Sequence, residues 1–255
     1  MQLRVLGCSG GIGGALRTTS LLVDEDILID CGTGVGDLSL EEMRRLRHIF
    51  LTHTHLDHIA DLPLLVDTLF SDLQDQPLVI HARQESMDAI RSHIFNWQIW
   101  PDFFQLPDSQ RPAIEFQPFE INEELDLDGR VFEMIEVNHT VPAVGYRVSC
   151  ETGSFAFSGD TTTNDTLWAA LNSHESLDML IVECAFSNSE RALCDAARHY
   201  CPDTLIADLA KLRHRPGIYI THLKPGEENQ IFSEIEGAAG DLNITRLHGQ
   251  EKFQL

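Results

Sequence analysis

Three histidines and an aspartate crowd into six positions of the segment "FLTHTHLDHIADLP", residues 50–63. They are His53, His55, Asp57 and His58, and imidazole nitrogen and carboxylate oxygen are the ligands that a zinc-class divalent ion prefers. The segment follows the apolar stretch "HIFL", which we interpret as a strand, so alternate residues face the same side. His53 and His55 can therefore share one ion, and Asp57 and His58, beyond the turn, can hold a second.

Each of these two ions would still lack ligands, so the interpretation requires histidines and carboxylates at the ends of other strands. The chain has three in that position: His139 in "MIEVNHTVPAVGY", Asp160 in "FAFSGDTT" and His222 in "IYITHLKP". A single histidine or aspartate after a strand is commonly a cap or a turn residue. Three of them, added to the first cluster, indicate a centre for two ions. The remaining histidines lack this context, and we expect most of them to be surface or structural residues: His48, His81, His93, His174, His199, His214 and His248.

The elements that would position these residues are short apolar runs separated by turn residues. Strands are predicted at "RVLGCS", "TSLLVD", "DILIDCG", "HIFLTH", "RVFEMIEVNH", "VGYRVSC", "SFAFSGD", "MLIVECAF" and "GIYITHLK". Helices are predicted at "LSLEEMRRLR", "DLPLLVDTLF", "ESMDAIRSHIF", "NDTLWAALN" and "DTLIADLAKLR". We interpret the first four strands as a β-meander and not as alternating βαβ units. Two halves of this kind predict two β-sheets packed face to face with helices outside, a four-layer α/β/β/α sandwich.

Composition predicts one domain over residues 1–255, since 43% of the residues are hydrophobic and no run rich in glycine, serine or proline acts as a linker. Met1 leads directly into an apolar alternation without the regions of a signal peptide, so we expect a cytoplasmic protein. No apolar run reaches about 18 residues, which argues against a membrane partner. We expect the six cysteines to be reduced and mostly buried.

The balance of charge argues against a nucleic-acid partner. Lysine and arginine total 18, aspartate and glutamate total 40, and the formal net charge is −22. A surface with this charge repels a polyanion. A small anion held by a bound metal ion is compatible with it, because the charge of the ion dominates the field within its own site. A small-molecule substrate is therefore expected.

The motif "THTHLDH", followed in order by His139, Asp160 and His222, resembles the HxHxDH signature of the metallo-β-lactamase superfamily, and the match extends over nearly the whole chain. The resemblance implies the αββα fold and a centre with two metal ions. The ligands that it implies are His53, His55 and His139 for one ion, Asp57, His58 and His222 for the other, and Asp160 as the bridge. Zinc suits such histidine-rich sites, and manganese or iron could occupy the same ligands.

Hydrolysis is the expected chemistry, because a hydroxide that bridges two dications is a nucleophile near neutral pH. The superfamily cleaves β-lactams, thioesters, lactones and phosphodiesters, so flanking residues must indicate the substrate. Three features resemble the class II cyclic-nucleotide phosphodiesterases: Leu56 within "HTHLDH", "LGCSGGIGG" followed by "TTSLLVD", and "YITHLKPGEE". We predict hydrolysis of 3′,5′-cyclic nucleotides, with cAMP favoured, to 5′-nucleoside monophosphates. The glycines of "GCSGGIGG" form either a flexible turn or a loop that approaches a phosphate.

The related tRNA 3′-processing endonucleases are the main rival, since "NHTVPAVGYRV" resembles their third-histidine motif. That family carries an RNA-gripping arm between the third histidine and the bridging aspartate, whereas 21 positions separate His139 from Asp160 here. Its HEAT-type motif would fall at "IVECAFSN", where Glu183 is present but Val182 replaces the histidine. The superfamily motif is also compatible with a thioesterase, a lactonase, a β-lactamase and a non-catalytic binding domain that keeps the fold.

Asp57, Asp160 and Glu183 are the predicted catalytic residues. The two aspartates act as metal ligands. Glu183 is a candidate for protonating the leaving 3′ oxygen and equally for orienting a ligand histidine. Asp30 in "ILIDCGTG" is also expected to orient a ligand.

Three residues are candidate substrate contacts. Thr161 could hydrogen-bond near the bridging carboxylate, and Lys224 could contact a phosphate oxygen or pair with Glu227 on the surface. Trp97 lies in the aromatic segment "HIFNWQIWPDFFQLP", residues 93–107, and could stack on a purine. Aromatic residues at this density more often build a packed lid or a subunit interface, which we favour for the segment, together with a homodimer.

Overall fold

Sixteen β-strands form the frame of the molecule, which a computed structural model describes over residues 1–255. The strands are β1 (Gln2–Gly7), β2 (Ser20–Val23), β3 (Ile27–Ile29), β4 (His48–Phe50), β5 (Leu78–Ala82), β6 (Pro107–Asp108), β7 (Arg111–Pro112), β8 (Ile114–Pro118), β9 (Glu124–Leu127), β10 (Arg130–Glu136), β11 (Val144–Ser149), β12 (Ser154–Phe157), β13 (Met179–Glu183), β14 (Gly217–Thr221), β15 (Ile244–Arg246) and β16 (Lys252–Gln254). One seven-stranded sheet has the order β16–β1–β2–β3–β4–β5–β8, and the other has the order β15–β14–β13–β12–β11–β10–β9. β6 and β7 pair separately.

Eight α-helices lie in the connections between strands. They are α1 (Leu40–Met43), α2 (Leu56–Ile59), α3 (Leu62–Leu73), α4 (Gln84–His93), α5 (Thr166–Ser173), α6 (Arg191–Ala197), α7 (Pro202–Leu209) and α8 (Glu228–Ala238), with short 3-10 helices at Thr33–Asp37 and Asn188–Glu190. In α3 the buried residues recur every three or four positions, as an amphipathic helix requires: Leu62, Leu65, Val66, Leu69 and Leu73. Burial stabilises such a helix by roughly 1.5–3 kcal/mol for each aliphatic side chain. None of the helices combines the length and the apolar character needed to cross a lipid bilayer.

Three apolar clusters fill the three interfaces between four layers. The cluster between the sheets includes Phe50 and Phe132, whose stacked rings have centroids 4.1 Å apart. A second cluster joins the first sheet to α3 and α4, and a third joins the second sheet to α5, α7 and α8. Helices cover the outer face of each sheet, so the predicted αββα sandwich is confirmed.

The predicted β-meander is correct for β1–β3 and wrong for the strands that follow. β1, β2 and β3 are antiparallel neighbours, whereas β3, β4, β5 and β8 run parallel. The reason is that helices occupy the connections after β3, β4 and β5 and return the chain to the same end of the sheet. In the second sheet β12, β13, β14 and β15 are also parallel. Loops that follow parallel strands therefore collect at one edge of each sheet.

Candidate metal centre

Four candidate ligands follow strands of the two sheets. His53 follows β4, Asp160 follows β12, and His222 directly follows β14. His139 follows β10, the antiparallel neighbour of β11. The strand order thus brings together residues that are far apart in the sequence.

A one-turn helix carries the other three candidate ligands. His55 is the N-cap residue of α2 and has an extended backbone, while Asp57 and His58 lie within the helix. His53 and His55 fall in one group of candidate ligands, as predicted, and the helical turn places Asp57 and His58 in a second group.

The seven side chains form two groups that share one carboxylate: His53, His55, His139 and Asp160, and Asp57, His58, Asp160 and His222. Within each group the ligand atoms all lie within 4.8 Å of one another. Asp160 Oδ2 is 3.7 Å from His53 Nε2, and Asp160 Oδ1 is 3.3 Å from His58 Nε2 and 3.3 Å from His222 Nδ1. The two oxygens of Asp160 thus face different groups, as a bridging carboxylate would.

Four buried nitrogen atoms in these groups have no hydrogen-bond partner. They are Nε2 of His53, Nε2 of His58 and both ring nitrogens of His222. Buried polar atoms ordinarily have partners, because an unsatisfied one costs about 1–3 kcal/mol. Imidazole nitrogens and carboxylates that converge in this way fit divalent cations, which would satisfy one unpaired nitrogen of each ring.

Hydrogen bonds on the opposite ring nitrogen orient two of the histidines. His58 Nδ1 is 2.7 Å from Oδ2 of Asp30, a fully buried carboxylate that also accepts from the backbone N–H and the hydroxyl of Thr52. His139 Nδ1 lies 3.0 Å from the backbone carbonyl oxygen of Arg198. The first contact leaves Nε2 of His58 free for a metal ion, so Asp30 has the orienting position expected for it. The second turns Nε2 of His139 towards Nδ1 of His55, which lies 3.1 Å away in the same group of candidate ligands.

Burial favours the neutral form of four candidate histidine ligands. It lowers the pKa of His139 to about 4 and the pKa of His222 to about 3. The pKa values of His53 and His55 are lowered for the same reason. A neutral imidazole has the lone pair that a cation binds.

His199 also lies in this centre, and because it is buried the expectation of a surface position is wrong for this residue. Its ring is stacked on that of His222 with 5.2 Å between centroids, and its centroid is 5.0 Å from that of His139. His199 Nδ1 lies 2.9 Å from Oε1 of the buried Glu183, which leaves Nε2 without a protein partner. Burial lowers the pKa of His199, but the Glu183 carboxylate outweighs burial, and the net pKa is raised.

The sequence gives little indication that His199 belongs to this centre, because its partner Glu183 lies in β13 and is distant from it along the chain. Successive residues of a strand face opposite sides, and Val182 is buried against the helices, so position 182 cannot face the centre. Arg198 ends α6 in a left-handed conformation, φ 54° and ψ 53°, and the chain then turns so that His199 meets Glu183. The absence of a histidine before Glu183 therefore carries no weight against an endonuclease.

Thr161 joins the two loops that carry His139 and Asp160. Its side chain is fully buried, and its hydroxyl accepts from the Asn138 N–H at 3.1 Å and lies 3.3 Å from the Asn138 carbonyl oxygen. Its backbone N–H donates to Glu183 at 3.0 Å. The predicted contact of Thr161 with substrate is not supported by this geometry, because the hydroxyl is enclosed in the protein.

Lys224 lies beside His222 and is held from two sides. Its Nζ donates to the Gly10 carbonyl oxygen at 2.9 Å and lies 5.7 Å from the centroid of the Phe186 ring, and it does not form the ion pair with Glu227 that was the alternative to a phosphate contact. The segment "GCSGGIGG" packs against the same turn. A Cβ atom at Gly10 would lie 2.5 Å from the His222 carbonyl oxygen, so the close approach requires glycine.

The aromatic segment, residues 93–107, belongs mainly to the core. Phe95, Phe103 and Phe104 are buried in the cluster that joins the first sheet to α3 and α4, which agrees with packing and not with a purine-binding wall. Trp97 is 59% exposed. It follows α4, the helix that starts just after β5. The stacking of Trp97 on a purine stays a prediction.

Comparison with known proteins gives a family and several relatives. The beta-lactamase superfamily domain matches residues 25–239. A probable 3′,5′-cyclic-nucleotide phosphodiesterase from Yersinia pestis is 26% identical over 225 residues, which cover 76% of this chain and 63% of the relative. Ribonuclease Z from Clostridium beijerinckii is 28% identical over 156 residues, which cover 57% of this chain and 48% of the relative. The chain thus spans 63% and 48% of the lengths of these two curated relatives.

The fold agrees with the family match. The structure of unliganded yeast PDE1 superimposes with a TM-score of 0.82 at 18% sequence identity, and the alignment covers 100% of this chain and 99% of that chain. At this identity the similarity shows the fold alone. The domain match over residues 25–239 agrees with the family predicted from the HxHxDH motif. The chain therefore belongs to the beta-lactamase superfamily and has the metallo-β-lactamase fold.

Proposed function

We propose that this protein is a metal-dependent phosphodiesterase that hydrolyses 3′,5′-cyclic nucleotides, with cAMP favoured, to 5′-nucleoside monophosphates. One observation supports this proposal most directly. Two sets of candidate metal ligands share Asp160, and Nε2 of His199, which has no protein partner, lies beside them. Phosphodiester cleavage needs cations near the phosphate and a proton for the leaving oxygen. The relative from Yersinia pestis supports the choice of a cyclic nucleotide.

In this proposal each group of ligands would hold one divalent ion, and Asp160, which belongs to both groups, would serve both ions. We assign zinc because the groups are rich in histidine, and manganese and iron suit the same ligands. When bound, such a pair supplies a water nucleophile that is active at neutral pH and positive charge that offsets the charge of the phosphate. Asp57 has the more exposed of the two carboxylates, with 29% of its side chain accessible, so it lies on the substrate side of the second group.

A side chain of the protein supplies the proton that the leaving 3′ oxygen needs. Attack by water would form a new bond from oxygen to phosphorus, release one proton of the water to solvent, and break the bond between phosphorus and the 3′ oxygen, which must then be protonated. We assign this proton to Nε2 of His199. Glu183 accepts a hydrogen bond from His199 Nδ1, fixes the ring and stabilises its protonated form. Glu183 is then a positioning residue that acts through His199, one of the two roles expected for it.

An RNA phosphodiesterase is the second candidate, because ribonuclease Z sequences from several organisms are also similar to this chain. Two observations favour the cyclic nucleotide. His139 and Asp160 are joined by a segment that contains only the hairpin of β11 and β12, so no RNA-gripping arm lies between them. The net charge of −22 also opposes the binding of a polyanion.

The proposal extends to substrate contact, assembly and compartment. Lys224 lies beside His222, where its ammonium group can meet a phosphate oxygen. We propose a homodimer that covers the exposed Trp97 and Ile99 of the aromatic segment. The cytoplasm is the proposed compartment, supported by six cysteines that form no disulfide.

The experiment is product identification with protein that has been loaded with zinc or manganese. cAMP, cGMP, a precursor tRNA and a thioester are offered separately, and Asp160→Asn serves as the control for contaminating hydrolases. We expect 5′-AMP from cAMP and its loss in the variant. Turnover of the tRNA or the thioester without turnover of either cyclic nucleotide would replace the proposed function.

A further inference from the structure

Arg198 occupies the turn that inserts His199 between two candidate ligands. It has left-handed backbone angles, φ 54° and ψ 53°, at the end of α6. Helices commonly end with glycine in this conformation, because a Cβ atom disfavours it. When a non-glycine residue adopts this conformation beside a functional site, its side chain commonly has a role there.

Arg198 contacts His139 in two directions. Its carbonyl oxygen lies 3.0 Å from His139 Nδ1, and its Nη1 donates to the His139 carbonyl oxygen at 2.8 Å. Nη1 also lies 3.5 Å from Oδ1 of Asn138. These contacts hold the guanidinium next to a candidate ligand and use only one of its three nitrogen atoms. Nε and Nη2 have no partner in the protein, and they form the edge that binds two oxygens of a phosphate at once.

Two cationic side chains flank His199. The Arg198 side chain is exposed and lies at the His139 side, and Lys224 lies at the His222 side. The rings of His139 and His222 are 5.0 Å and 5.2 Å from that of His199, so the candidate proton donor lies between the two cations.

We propose that Arg198 binds the phosphate group of substrate and product through its Nε and Nη2 edge, an inference that rests on the proposed phosphodiesterase function. The residue contributes to the binding of the anion and leaves the nucleoside to other contacts. Paired hydrogen bonds from a guanidinium are both stronger and more directional than the contact of an ammonium, so lysine cannot fully replace arginine here.

Three variants test the proposal. Arg198→Gly removes the guanidinium and relaxes the left-handed backbone, so the fold should be at least as stable as in the wild type. Arg198→Lys keeps the charge without the paired donors. Arg191→Ala is the matched control, since it removes a cation from the same helix, where Arg191 pairs with Asp195 at 2.8 Å on the surface.

For Arg198→Gly we expect the KM for cAMP and the calorimetric Kd for 5′-AMP to rise at least about tenfold, the loss that a hydrogen bond to a charged group implies. kcat should change less than KM, and the affinity for adenosine should not change. Arg198→Lys should restore part of the loss, and Arg191→Ala should resemble the wild type. Metal content and Tm should not fall in any of the three variants.

The inference is overturned if Arg198→Gly leaves both KM and the Kd for 5′-AMP unchanged. A loss of affinity that is fully explained by a fall in metal content would overturn it as well, because it would show that the side chain acts only by holding His139. An equal loss of affinity for adenosine would assign the contact to the nucleoside. If the wild type cleaves no cyclic nucleotide, the proposed function fails by itself. The Arg198 inference is then decided with inorganic phosphate, whose binding must weaken in Arg198→Gly and not in Arg191→Ala.

Discussion

Replacing His199 with glutamine separates proton donation from metal binding. Glutamine can still donate a hydrogen bond to Glu183, which His199 contacts at 2.9 Å, but it cannot give up a proton. General acid catalysis contributes about 10²–10⁴-fold. We therefore expect kcat for cAMP to fall by that factor, which corresponds to about 3–5 kcal/mol of activation free energy. KM and metal content should be unchanged, because the two groups of candidate ligands do not include His199.

The leaving group distinguishes this explanation from general damage to the centre. A p-nitrophenyl phosphodiester releases p-nitrophenolate, which departs without being protonated, so His199→Gln should lose little activity on it. Glu183→Gln should lie between wild type and His199→Gln on cAMP, with a loss of about 10–100-fold, because it removes a charge-assisted hydrogen bond of about 1.5–3 kcal/mol. Equal losses on the two substrates, or a loss of bound metal, would refute the assignment of His199 as proton donor.

Three further substitutions test the ligands and the packing around them. Asp57→Ala should abolish turnover of cAMP while circular dichroism shows a retained fold, because one metal ion loses its anionic ligand; an active variant with full metal content would contradict this role. Asp30→Asn should lower the affinity for one metal ion about 10–100-fold in a chelator titration, since His58 loses its orienting carboxylate; equal affinities would count against it. Gly10→Ala should destabilise the fold by about 1–3 kcal/mol in thermal unfolding, because its Cβ would meet a carbonyl oxygen at 2.5 Å, whereas Gly237→Ala, in open space, should not; equal Tm values would show that the turn adjusts.

The positions of the candidate ligands could be predicted because their signals are local. His53 to His58 lie on one strand end and one helical turn, so their spacing alone limits where the side chains can point. Asp160 and His222 each follow a short apolar run that is typical of a buried strand. The four layers were predictable for a similar reason, because the periods of strands and helices recur along both halves of the chain.

Features that depend on how distant parts of the chain come together could not be predicted in this way. His199 follows α6, and it meets Glu183 because Arg198 takes a left-handed conformation and because the Ala185 N–H donates to the Tyr200 carbonyl oxygen at 3.1 Å. Neither feature has a signature in the residues around position 199. The parallel pairing of β4 was missed for the same reason, since apolar alternation does not report the direction of the neighbouring strand.

The two-ion centre is tested most directly by anomalous scattering from crystals of the protein reconstituted with zinc. The proposed ligands predict two peaks, one beside His53 Nε2 and one beside His58 Nε2, with Asp160 in contact with both. A single peak, or peaks remote from Asp160, would contradict the shared-carboxylate arrangement on which the proposed hydrolysis depends.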